Sequence, residues 1–264
     1  HLSIMVLWIP VIAAILAVLM LALSLFLLAG VPLAGCTQEV SRMDPELAAQ
    51  AFPGDAGMAE LAAAVRSGNV DEVKRLAPAV DLDARGDRDV TLLQWAILTD
   101  SHAGFMALLD AGADPHAMGI DGESAVHTAA FADNPAFLLD LIGRGADPSI
   151  PAEAGGHGPV VTAMRAGNED HAAELLRAGA DPDQADEVGN TPLHVAGLMG
   201  ISRLALVLLE AGANPAVRNS QGVTFDEYLF DRPDATVTPE GRSHREKIRE
   251  ILDDGSAGGT ETAK

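Results

Sequence analysis

The stretch Thr191–Asn214, "TPLHVAGLMGISRLALVLLEAGAN", decides the fold. Thr191 is a good helix N-cap, and Pro192 suits the first helical position, where its missing N–H costs no intrahelical bond. Ala196 and Gly197 are small enough to let a neighbouring helix approach closely. Gly200 breaks the first helix and the chain turns back. Leu204, Val207 and Leu208, spaced i, i+3 and i+4, supply the buried face of a second helix. Gly212 stops that helix. The segment "NPAVRNSQGV" that follows predicts a hairpin-like finger leading onward.

The same logic recurs along the chain. "GADP" occurs at Gly112–Pro115, Gly145–Pro148 and Gly179–Pro182, and "GANP" at Gly212–Pro215, in steps of 33, 34 and 33 residues. Thr91, Ser124, Gly158 and Thr191 each stand 23 positions before the Asp or Asn of these motifs. They open "TLLQWA", "SAVHTA", "GPVVTA" and "TPLHVA". A fixed period of this length is the signature of a stacked repeat architecture, in which each unit buries its apolar face against the next. Degenerate units flank the four: one from Ala59 with Gly68 and Leu76 in phase, and one from "VTFDEYLF" to "RSHREKIREIL", interrupted by "DRPDATVTPEG".

The pattern resembles the ankyrin repeat, G-x-T-P-L-H-x-A-A-x-x-G followed by a Leu-Leu helix and G-A-D. The resemblance implies an all-α ankyrin-repeat solenoid of helix-turn-helix units with hairpin fingers, preceded by an N-terminal apolar helix. Residues 58–254 form this domain, about five to six repeats including degenerate caps. His127 and His194, at the family's histidine position, are expected to be hydrogen-bonded spacers between repeats. By the same resemblance, the two residues before the Gly of A-x-x-G look into a concave partner-binding groove. Here these are Leu98-Thr99, Phe131-Ala132, Arg165-Ala166 and Leu198-Met199. Asp100 and Asp133 replace that Gly in two units. A row of Leu, Phe, Arg and Met has the composition of an interface centre. Asp83, Asp87, Asp89, Asp121, Glu123, Asp186 and Glu187 would ring it as an acidic rim.

Residues 1–35 carry no Asp, Glu, Lys or Arg, and "LSIMVLWIPVIAAILAVLMLALSLFLLAG" is long enough to span a bilayer as a helix. The run is expected to be a signal peptide or membrane anchor helix. Leu33-Ala34-Gly35-Cys36 resembles the lipobox of bacterial lipoproteins, which implies cleavage before Cys36 and its lipidation. Thr37 after the cysteine resembles the pattern sent on to the outer membrane. An uncleaved signal-anchor stays open beside this, because the run exceeds a usual signal core and no Lys or Arg precedes it. In either case the folded part faces the periplasm on a tether over 36–57, and 255–264 reads as a disordered tail.

The net charge of -21 opposes binding to nucleic acid or adsorption to anionic lipid. One cysteine allows no internal disulfide. The sequence holds no phosphate loop, G-x-S-x-G, H-E-x-x-H or zinc-type Cys pair, so no catalytic residue, metal or cofactor is predicted and an enzyme is not expected. His157, within "AEAGGHG", is expected at a flexible loop tip. The expected function is that of a monomeric, non-catalytic protein-binding module. "TLLQWAIL" and "REKIREIL" look like segments of bacterial envelope ankyrin lipoproteins that act as immunity proteins against type VI secretion phospholipase effectors. The alternative is a periplasmic scaffold stabilising an envelope or oxidative-stress enzyme.

Overall fold

The computed structural model describes residues 46–231, 233 and 237–257. The apolar run, Cys36 and residues 258–264 lie outside the described residues. Within the described part the architecture is helical, with no strand among the described residues.

Six helical hairpins follow one another from Ala56. They are α1 (Ala56–Arg66) with α2 (Val70–Leu76), α3 (Leu92–Leu98) with α4 (His102–Asp110), and α5 (Ala125–Phe131) with α6 (Pro135–Gly143). Then come α7 (Pro159–Ala166) with α8 (Glu169–Arg177), α9 (Pro192–Met199) with α10 (Ser202–Glu210), and α11 (Phe225–Asp231) with α12 (Pro239–Ala257). The odd-numbered helices pack in sequence, each on the next, and the even-numbered helices form a second layer in the same way. This is the all-helical repeat solenoid that the periodicity predicts.

The small residues work as expected. A Cβ on Gly197 would stand 2.5 Å from the Phe225 carbonyl oxygen, and one on Gly104 would stand 2.1 Å from that of Val65. Large side chains fill the space between layers: Phe105, Leu108, Phe137, Leu138, Leu141, Leu175, Leu204 and Leu208 are all fully buried in one continuous cluster. Each such side chain contributes about 2 kcal/mol of transfer free energy.

The polar positions at the helix starts tie one hairpin to the next. His194 Nδ1 accepts from the Thr191 N–H at 3.1 Å, which places its proton on Nε2, 3.0 Å from the Val223 carbonyl of the following finger. His127 does the same with the Ser124 N–H at 3.2 Å and the His157 carbonyl at 3.3 Å. In α3 the position is Gln94, whose amide oxygen accepts from the Thr91 N–H at 3.2 Å and whose amide nitrogen donates to the Glu123 carbonyl at 2.9 Å. Both histidines are the inter-repeat spacers expected of them.

The fingers are stitched in the same manner. The backbone N–H of Asp114 donates to Asp83 Oδ1 (2.9 Å), that of Asp147 to His116 Nε2 (2.9 Å), that of Asp181 to Ser149 Oγ (2.7 Å), and that of Asn214 to Asp183 Oδ1 (2.9 Å).

Two boundaries differ from the sequence expectation. Within the span read as a tether, residues 46–51 are helical, and Ala48 and Phe52 are buried against the first hairpins. Phe52 meets Trp95 edge to face at 6.1 Å between ring centroids, so an apolar side chain holds this stretch down. At the other end α12 runs to Ala257, into the start of the segment 255–264 for which the composition predicts disorder.

Candidate protein-binding surface

Because the odd-numbered helices stack in order, their C-terminal ends line up along one face. Leu98 ends α3, Phe131 ends α5, Arg165 is the penultimate residue of α7, and Leu198-Met199 close α9. All five are exposed, and the four apolar ones retain 59% (Leu98), 61% (Phe131), 47% (Leu198) and 40% (Met199) of their accessible surface. They do not fold back onto the next helix. Thr99 is only half-exposed, because its hydroxyl donates to the Trp95 carbonyl at 2.7 Å and caps α3 from within.

Two clefts lie along the row. Leu98 and Phe131 share a cleft of about 380 Å³ between the first two full hairpins, with buried Ile97 and Phe137 among its lining residues. Leu198 lines a second cleft of about 340 Å³ with Val188, Asn190 and Tyr228. Val188 is an exposed finger residue that the repeat pattern did not single out. Arg165 and Met199 line neither cleft.

Different devices hold the helix ends that present these residues. Gly167 and Gly200 take left-handed conformations after α7 and α9, with φ of 81° and 75°. Asp100, in the corresponding place after α3, also has positive φ, 51°. After α5 the backbone instead leaves extended at Ala132, with φ -65° and ψ 149°. The orphan carbonyls there are taken by Asn168, whose Nδ2 donates to Ala130 (3.2 Å), Phe131 (2.9 Å) and Ala132 (3.1 Å). Asn168 therefore fixes the position of Phe131 from the next hairpin.

The acids divide into two groups. Asp87, Asp121 and Glu187 are exposed at the fingers, as are Asp83 and Asp89. Asp186 is turned back into its own finger, where Oδ1 accepts from the N–H groups of Val188 (3.1 Å) and Asn190 (2.8 Å). Glu123 is also engaged: Oε1 lies 2.9 Å from His157 Nε2 and 3.4 Å from Thr162 Oγ1. Burial pushes the Glu123 carboxyl up, but the His157 hydrogen bond, the nearby His127 and His157 charges and Thr162 outweigh it, so the group lies below its ordinary value. Burial holds the neighbouring His127 imidazole below its ordinary value, against the pull of the His157 carbonyl and of Glu123. His157 is thus not a loose loop tip. It locks the finger that carries the extra residue onto the one before it, a pairing 34 residues apart that no local motif announces.

No cluster of three or more His, Cys, Asp or Glu able to hold a metal occurs among the described residues. Nor is any described helix long and apolar enough to cross a membrane.

A family model described as ankyrin repeats (3 copies) matches residues 126–219. Protein PhlB of Serratia liquefaciens is 40% identical over 175 residues, which span 66% of this chain and 77% of that protein. The chain belongs to the ankyrin-repeat family. Among solved structures, the ankyrin repeat protein EF0377 matches with a TM-score of 0.58 at 22% identity, covering 74% of this chain and 96% of that one. The ankyrin repeat domain of Bcl-3 matches with a TM-score of 0.50 at 24% identity, over 65% and 92%. These two structural likenesses speak to the fold. Ankyrin repeats are protein-interaction scaffolds, and this ankyrin stack is a protein-binding module.

Proposed function

We propose that the protein is a non-catalytic immunity module, held in the bacterial envelope by its N-terminal segment, that binds a type VI secretion phospholipase effector and occludes it. The observation that carries this reading is the exposed row Leu98, Phe131, Leu198 and Met199 at the ends of stacked helices. Large apolar side chains left in water at adjoining positions mark a surface that another protein covers. The likeness to a Serratia liquefaciens protein over most of that protein's length agrees with a bacterial setting. So does the lipobox-like Leu33–Cys36 after an uncharged run. Occlusion works by steric blockade of the effector's active site or of the face that docks on lipid. The acidic field of a chain with net charge -21 speeds encounter with a cationic face. Tethering keeps the module concentrated where the effector attacks. Gene deletion combined with capture from a strain carrying a neighbouring lipase gene tests the proposal. Deleted cells should become sensitive to sibling attack, and the full-length protein should retain the lipase. Insensitive deleted cells, or retention of an oxidative-stress enzyme in place of the lipase, overturn it.

A further inference from the structure

We propose that the cleft between α3 and α5 is a socket for an apolar side chain carried beside a lysine or arginine on a basic amphipathic segment of the partner protein. This rests on the protein-binding reading above and specifies its chemistry. Ile97 and Phe137 are buried and Leu98 and Phe131 exposed, so the cleft of about 380 Å³ offers a greasy interior open to an incoming side chain. Two carboxylates, Asp100 and Asp133, line the same cleft. Neither takes part in an ion pair among the described residues, whereas the outer layer's Asp110 and Glu169 are matched by Arg144 and Arg203.

Asp100 is held in place. Its Oδ1 accepts from Asn134 Nδ2 at 2.9 Å, across the junction between the two hairpins. Its backbone has φ 51°, in the left-handed region where Gly167 and Gly200 stand in the later repeats. Asp is one of the few side chains that adopt this region, so the turn is kept while a carboxylate stands at the cleft. A partner cation beside an apolar anchor satisfies both parts of this surface, while an acidic segment meets repulsion from Asp100, Asp133 and the chain's net charge of -21. The second cleft, lined by Asn190, Asn219 and Gln221, carries no such charge, so the preference for a cation belongs to the α3–α5 end.

The test uses the full chain and two labelled synthetic peptides of equal length, one built of Leu and Lys and one of Leu and Glu, followed by fluorescence anisotropy. The Lys peptide should bind at least about tenfold more tightly, and Asp100→Asn with Asp133→Asn should weaken it at least about fivefold. A control pair on the even-numbered helices, Asp71→Asn with Glu210→Gln, should leave it unchanged. Equal binding of the two peptides, an unchanged affinity in the cleft pair, or an equal loss in the control pair overturns the proposal. The captured partner separates this from the broader reading. If Phe131→Asp abolishes capture and the cleft pair does not, the binding surface stands and the basic socket falls. If Phe131→Asp has no effect either, both fall.

Discussion

Replacing His194 by alanine removes the join between the α9 hairpin and the finger of the next unit. His194 is buried, and its ring accepts from the Thr191 N–H at 3.1 Å and donates to the Val223 carbonyl at 3.0 Å. Alanine leaves the buried Thr191 N–H unpaired, at a cost of about 1–3 kcal/mol, and takes from the half-buried Val223 carbonyl one of two donors, the other being the Asn219 N–H at 3.1 Å. It also removes the ring that packs edge to face on Tyr228 at 6.4 Å. The expected loss is therefore about 2–4 kcal/mol, a large share of a domain's stability. Glutamine is the discriminating control, because Gln94 already performs the same bridging in α3 with bonds of 3.2 and 2.9 Å. His194→Gln should stay within about 1 kcal/mol of the parent. Urea unfolding followed by circular dichroism gives the magnitude. Amide exchange gives the location, because in a stack with nearest-neighbour coupling the loss should appear first over residues 191–231. An alanine variant within about 1 kcal/mol of the parent would refute the reasoning, as would a glutamine variant as unstable as alanine.

Acid should destabilise the stack in two stages. Folded His127 is held below its ordinary 6.5, so the unfolded chain takes up the proton first and stability falls as pH drops through about 6.5. Glu123 lies below its ordinary 4.5, so its contribution is present above that value and is lost as pH falls through the lower folded value. His127→Gln should remove the upper stage and, because the His127 charge helps to hold Glu123 down, shrink the lower one without abolishing it, read from urea midpoints across pH. Gly197→Ala should cost about 1–3 kcal/mol, since its Cβ would stand 2.5 Å from the Phe225 carbonyl and force α9 and α11 apart; thermal melts check this.

The stack itself was legible because a repeat writes its register several times over. One "GADP" is a turn, but three and a "GANP" at nearly constant spacing place the openings of the first helices at Thr91, Ser124, Gly158 and Thr191, the bridging residues His127 and His194, and the ends of those helices. What escaped depends on contacts that the period does not encode. Asp100 and Asp133 occupy equivalent positions, yet only Asp100 adopts positive φ, because Asn168 of the next hairpin takes up the carbonyls at the end of α5. Glu123 looks like any other finger acid until the extra residue in the following finger brings His157 to its side. Phe52 lies outside the repeat period and is recruited by Trp95. The two clefts along the apolar row likewise depend on how fingers and helix ends meet, with Val188 and Tyr228 lining one beside Leu198.

Titration calorimetry of the Phe131→Asp, Met199→Asp double variant against the partner that the full-length protein retains in the capture experiment tests the central claim most directly. Both side chains are exposed, so circular dichroism of the variant should match the parent. If the row is the contact surface, charging two of its apolar residues should weaken binding by at least about thirtyfold, or about 2 kcal/mol. An affinity within about threefold of the parent would contradict the account.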